Sequence, residues 1–119
     1  KNGIPIQVFN YGNMKRDFTY IDDIIAGTRS AINKNYKCEV FNLGNHMSEE
    51  LMDVIHHIEA GLEKKAEINF LPMQPGDTKE SFADIDKSIV MLDYKPTINI
   101  DIGINIFINW YKKYIKDTI

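Results

Sequence analysis

Two adjacent cations, Lys15 and Arg16, offer the most direct chemistry in this 119-residue chain. They leave a polar stretch, Asn10-Tyr11-Gly12-Asn13, that follows a short apolar run from Ile6 to Phe9. Asn and Gly tolerate the positive φ of a tight reversal. The pattern therefore predicts a strand over Ile6 to Phe9, a hairpin turn over Asn10 to Asn13, and a second extended run over Asp17 to Ile21. Both cations would sit at the mouth of that strand pair. A guanidinium presents a planar fork of donors that matches a phosphate or a carboxylate. A solvated basic pair beside an acidic helix start fits the same spacing.

Other chemistries find no support in the residue pattern. His56 and His57 are neighbours on a helical stretch and point about 100° apart, while His46 falls in a turn. With no H-x-x-x-H, H-E-x-x-H or cysteine-rich spacing, the expected metal content is none. Neither a nucleophile elbow nor a glycine-rich phosphate loop after a strand occurs. The single cysteine, Cys38, excludes an internal disulfide and suits a reducing cytoplasm. A net charge of -3 gives no general attraction to nucleic acid or anionic membrane, and neither is expected as a partner. No apolar run has the length of a membrane span, and no signal peptide is visible. The opening Lys1-Asn2-Gly3 enters a strand without a cap or an initiator Met, as if from mid-chain.

Four helices must position these groups. Ile21, Ile24, Ile25, Thr28 and Ile32 recur at helical spacing and predict a helix over Asp22 to Asn33, with Asp22 and Asp23 serving its N-terminus by capping and dipole. Ser48 is expected to cap a helix to about Lys64, with Leu51, Val54, Ile55, Ile58 and Leu62 as its buried stripe. Asp84 should cap a short helix through Ile85, Ile89 and Leu92, and Pro96 should stop its continuation. From about Ile100, a last helix carries Ile104, Phe107, Ile108, Tyr111 and Ile115 on one side. Trp110 and Tyr114 widen that face, which predicts deep packing. Glu39 to Leu43 and Ile68 to Leu71 read as further strands. The expected class is a mixed α/β fragment in one domain over residues 1–119, because three or four short strands cannot form a full doubly wound sheet.

Val8-Phe9, Gly12 and the run Arg16-Asp17-Phe18-Thr19-Tyr20-Ile21-Asp22-Asp23 form one recognisable block. A second is Leu71-Pro72-Met73-Gln74-Pro75-Gly76-Asp77-Thr78 with Ala83-Asp84-Ile85. A third is Asp93-Tyr94-Lys95-Pro96 ahead of Trp110-Tyr111. In order and spacing these resemble the extended short-chain dehydrogenase/reductases, the NAD-dependent nucleotide-sugar epimerases and dehydratases, and most of all the UDP-glucuronate epimerases. The resemblance covers nearly the whole chain, but only the C-terminal third of such an enzyme. It implies a protein that lacks most of the Rossmann sheet, with NAD bound by a missing N-terminal domain. Glu39 to Leu43 and the helix before it would extend that sheet.

By this resemblance, Gln7 and Phe9 place backbone groups and a ring near the uracil of a UDP-sugar. Arg16 would bind the diphosphate, and Asp77, in the Pro75-Gly76-Asp77 turn, the ribose hydroxyls. Gln74 stands where many relatives carry a second phosphate-binding arginine; the glucuronate-type sequences resemble this chain in having Gln there, which leaves Arg16 as the main cation and Lys15 as a weaker one. Asp77 also fits as a simple turn residue, and Phe9, Trp110, Tyr111 and the five methionines as packing groups. The family's catalytic Tyr-x-x-x-Lys has one literal match, Tyr11 to Lys15, but it spans a Gly-Asn turn and is rejected. Catalytic residues are therefore expected upstream, and this chain alone inactive. The implied reaction takes a hydride from sugar C4 onto NAD and returns it to the other face of a 4-keto intermediate. A nucleotide-sugar 4,6-dehydratase and a non-catalytic UDP-sugar-binding module are the alternatives. A homo-oligomer is expected, as is a role in polysaccharide biosynthesis.

Overall fold

In the computed structural model, which describes residues 3–117, the first strand and the Arg16 strand do not pair with each other. Lys1 and Asn2 of the opening tripeptide lie outside the described residues. Strand β1 (Ile6–Val8) runs parallel to β4 (Ile68–Phe70), with Gln7 opposite Asn69. Strand β2 (Lys15–Arg16) lies at the centre of a second sheet, antiparallel to β3 (Glu49–Glu50) and parallel to β5 (Glu80–Ser81). The expected hairpin is thus replaced by a crossover between two small sheets. Its local chemistry was read correctly in part, since Asn10 adopts a left-handed φ of 49° and Gly12 one of 85°. Tyr11 does so as well, at 53°. A reversal signal describes the turn and says nothing of which partners the flanking strands will find. Here Val8 and Met14, both buried, anchor the two ends in different places. Gly12 is favoured by its positive φ, and a Cβ there would lie 2.7 Å from Met52 Sδ and force that side chain to shift.

Helix α1 (Ile21–Lys34) agrees with its expected span and ends on Asn35 in the left-handed region. Asp22 and Asp23 occupy its first turn, where their charge suits the dipole, but neither caps it. Asp23 is instead buried, and its carboxylate accepts from Thr97 N (3.1 Å), Thr97 Oγ1 (3.1 Å) and Ile98 N (3.0 Å). It therefore fastens the segment leading to the last helix.

Helix α2 runs from Leu51 to Leu62, two residues later than a Ser48 cap requires. Ser48 donates to Glu80 Oε1, and Glu49–Glu50 are drawn into the ladder with Lys15–Arg16. The ladder hydrogen bonds and the Lys15–Glu50 ion pair hold these residues extended in place of a helical first turn. Of its expected stripe, Val54 and Ile55 are buried but Ile58 is exposed.

Glu39 to Leu43 forms no strand among the described residues. The segment keeps a strand's alternation, with Phe41 and Leu43 against Ile85, Leu92 and Tyr94 while Val40 is exposed. Its polar groups go to helix α3 (Asp86–Leu92): Ser88 Oγ donates to the Asn42 carbonyl and Lys87 Nζ to the Val40 carbonyl. Without a neighbouring ladder, alternation yields an extended segment and no sheet. Asp84 is not the cap of α3, since Ile85 holds that position without a side-chain bond; Asp84 accepts from Asp86 N–H at 3.1 Å from one residue further out.

Helix α4 (Ile100–Asp117) packs on α2, where a Cβ on Gly61 would come within 2.5 Å of Ile108 Cδ1. The expected deep packing fails on its other side. Phe107, Trp110 and Tyr114 are each more than half exposed. They stack along the helix, with Trp110 and Tyr114 centroids 5.2 Å apart. An apolar face this wide exceeds what a single neighbouring helix can cover. No helix among the described residues is long and apolar enough to cross a membrane.

Candidate functional site

Arg16 and Asp77, 61 residues apart in the chain, meet at 2.7 Å through Nη2 and Oδ1. Arg16 is placed by the central strand β2. Asp77 follows a turn in which its N–H donates to the Gln74 carbonyl and Gly76 takes a φ of +81°. Nothing lies within 4 Å of a Cβ built on Gly76, so backbone conformation alone calls for glycine there. The turn is held against β2 by Lys15 N–H donating to the Lys79 carbonyl at 2.9 Å. Arg16 Nη1 donates to the Lys15 carbonyl at 2.7 Å and reaches the Lys79 carbonyl at 3.4 Å. Each side chain remains about a third exposed, 29% for Arg16 and 32% for Asp77, so the pair is open to an incoming anion.

Lys15 is less available than its neighbour. Its Nζ pairs with Glu50 Oε1 at 2.9 Å, and that hydrogen bond holds the ammonium pKa above its ordinary value. Gln74 is exposed in the same turn as Asp77. Gln7 is exposed on β1, and Phe9, half-buried, opens the 3-10 turn Phe9–Gly12. The 71–77 segment continues directly from β4, the partner of β1: Leu71 N–H donates to the Val8 carbonyl, and Tyr11 N–H to the Leu71 carbonyl. The five candidate residues therefore sit on β1, the 3-10 turn that follows it, β2 and the loop after β4. Tyr11, in a left-handed turn, and Lys15, on a strand, share no helix face, which agrees with rejecting them as a catalytic pair.

Asp17 is the residue whose role the sequence reading missed. Its carboxylate accepts from the backbone N–H of Asn45 (2.8 Å), Ala83 (3.1 Å) and His46 (3.2 Å), and from Thr19 Oγ1 (3.1 Å). It closes two distant segments, 45–46 and the one around Ala83, onto the strand that carries Arg16. Gly44 makes this approach possible, since a Cβ there would sit 2.7 Å from Asp17 Oδ2. The buried Tyr94 hydroxyl donates to the Gly44 carbonyl at 2.9 Å. Burial, then the nearby carboxylates of Asp23 and Asp17, push the Tyr94 pKa up to about 12, so the phenol stays a donor at neutral pH. The only signal for Asp17 in the sequence was its place inside the Arg16-to-Asp23 block.

A separate apolar groove of about 310 Å³ lies between α4, α2 and the Phe18–Ile21 segment, lined by Tyr20, Ile58, Ile98, Ile104 and Phe107 among others. It carries no charged group and none of the expected site residues.

No established family profile matches the chain. Individual proteins do. Over 109 residues it is 50% identical to an uncharacterized protein of Methanocaldococcus jannaschii, covering 92% of this chain and 33% of that one. It is 36% identical over 113 residues to a UDP-glucuronate 4-epimerase of Thermodesulfobacterium geofontis, covering 94% and 35%. The fold superposes with a TM-score of 0.78 on UDP-glucuronic acid 4-epimerase of Bacillus cereus, solved with UDP-glucuronic acid and NAD, at 36% identity and with 92% and 36% covered. The chain is homologous to a portion of the NAD-dependent nucleotide-sugar epimerases. It spans about a third of the length of the relatives it matches, and its four helices and short strands are a mixed α/β arrangement that superposes on about a third of such an epimerase chain.

The epimerase relatives solved with NAD raise the question of whether these residues fit that cofactor. They do not. A dinucleotide pyrophosphate needs a strand, a glycine-rich turn and a helix N-terminus in succession. Helix α1 follows Asp17-Phe18-Thr19-Tyr20, and α2 follows two glutamates. Neither α3 nor α4 has a glycine in the five residues before it.

Proposed function

We propose that this chain is the UDP-sugar-binding portion of a longer NAD-dependent nucleotide-sugar epimerase of the UDP-glucuronate type. The convergence of Arg16 and Asp77 carries this reading: a permanent cation with forked donors and a carboxylate acceptor meet in one open site. A nucleoside diphosphate offers the matching groups, a diphosphate for the guanidinium and a ribose diol for the carboxylate. Several relatives named UDP-glucuronate 4-epimerase favour epimerisation over 4,6-dehydration. Holding the UDP end firmly would let the sugar end turn while it stays captured, with remote binding energy used at the reacting centre. Hydride chemistry belongs, on this reading, to NAD and to residues outside this chain. Titration calorimetry should show saturable binding of UDP to the protein. Absence of heat and of competition with any UDP-sugar would overturn the reading.

The shape of the chain supports a larger body around it. Its radius of gyration is 17.0 Å, against about 13.5 Å for a compact chain of this length. Ile21, Ile25, Ile32 and Val40 stand exposed along α1 and the segment that follows it. Ile21, Ile25 and Ile32 share one helix face, and an exposed apolar face of this kind marks an interaction surface. In isolation the 119-residue chain is therefore expected to self-associate at tens of micromolar, through α1 and the 39–43 segment. Light scattering that returned a clean monomer, with little dye binding to apolar surface, would show that the chain closes its own core.

A further inference from the structure

We infer that Asp77 acts as a latch on Arg16, making the site selective for nucleoside diphosphates over bare diphosphate. The inference rests on reading Arg16 as the diphosphate donor. Arg16 Nη2 is taken by Asp77 Oδ1 at 2.7 Å, while Nη1 donates to the Lys15 carbonyl and reaches toward that of Lys79. Oδ1 also accepts Thr78 N–H at 2.7 Å, so both recorded bonds to this carboxylate fall on one oxygen. A bare diphosphate approaching Arg16 meets a guanidinium already neutralised by a carboxylate and must displace that anion against its own charge. A nucleoside diphosphate brings a diol as well. Its two hydroxyls give Asp77 new donors, which compensate the carboxylate for leaving Arg16 and turn Nη2 toward phosphate. The same residue thus repels the partial ligand and rewards the complete one.

Asp77 lies in an exposed loop, and its substitution leaves the buried core intact. The test titrates inorganic pyrophosphate and UDP into the wild-type protein, Asp77→Asn and Asp77→Glu by calorimetry, with a melting curve for each variant. Asp77→Asn should bind pyrophosphate about threefold to tenfold tighter, because a competing charge of a partly exposed pair is gone, and should bind UDP more weakly. Asp77→Glu keeps the charge and should hold pyrophosphate affinity near the wild-type value. If wild type binds UDP but folded Asp77→Asn shows pyrophosphate affinity unchanged or reduced, the latch is overturned while the UDP reading stands. A gain in Asp77→Glu equal to that in Asp77→Asn would also overturn it, since charge would then be irrelevant. Wild-type protein that binds neither ligand would overturn both the latch and the function it rests on.

Discussion

Arg16→Ala is expected to weaken UDP binding by about 10-fold to 100-fold, since charge-assisted hydrogen bonds contribute roughly 1.5–3 kcal/mol. The structure sharpens this expectation. Lys15 cannot readily substitute, because its ammonium is paired with Glu50 at 2.9 Å on the neighbouring strand. Arg16 is also on the central strand of its sheet, with its backbone held on both sides, so truncating the side chain should not displace the strand. The loss of the ion pair with Asp77, part-exposed on both sides, should cost the fold no more than about 1 kcal/mol. Calorimetry on a variant with a near-native melting temperature separates binding from folding. Unchanged UDP affinity in that variant would remove Arg16 from the site.

The largest expected effect on stability comes from the next residue. Asp17→Asn keeps the size of the side chain but leaves one acceptor oxygen in place of two, and no charge. Three backbone N–H groups, of Asn45, His46 and Ala83, and the Thr19 hydroxyl now share the Asp17 carboxylate. Losing the charge and at least one of these bonds should cost about 2–4 kcal/mol. That corresponds to a melting temperature lower by roughly 10 °C for a chain of this size. Thermal unfolding followed by circular dichroism measures it directly. A melting temperature within a degree or two of wild type would mean that the Asn45, His46 and Ala83 segments are held by other contacts. UDP affinity at a temperature where the variant is folded should change less than in Arg16→Ala, because Asp17 positions the strand and takes no part in the pair with Asp77.

The helices were the most legible part of the fold. Residues at three- and four-residue spacing placed α1 within a residue of its observed limits, because a single helix face is defined by local periodicity. The start of α2 was misplaced by two residues. Ser48-Glu49-Glu50 looks like a helix entrance to any local rule, yet the two glutamates pair with Lys15 and Arg16 from another part of the chain. Glu39 to Leu43 shows the same limit in another form: a β-rich run was expected to be a strand, but the partner that would complete a sheet is not among the described residues.

At the candidate site, the residue types were legible and their meeting was not. Composition and motif spacing alone determined that Arg16 could serve an anion and that Asp77 sits in a glycine turn. They also excluded, within these residues, a glycine-rich nucleotide loop. Resemblance added an order of blocks and a role for each. Only the tertiary structure decided that Arg16 and Asp77 touch and that Lys15 is diverted to Glu50. It alone showed that the turn at Asn10 to Asn13 joins two sheets, and that Asp17 draws three segments together. The physical reason is common to all four. Local preference is set by a residue and its near neighbours, whereas hydrogen bonds across 28 to 66 residues form only where the whole chain's packing brings donor and acceptor within reach.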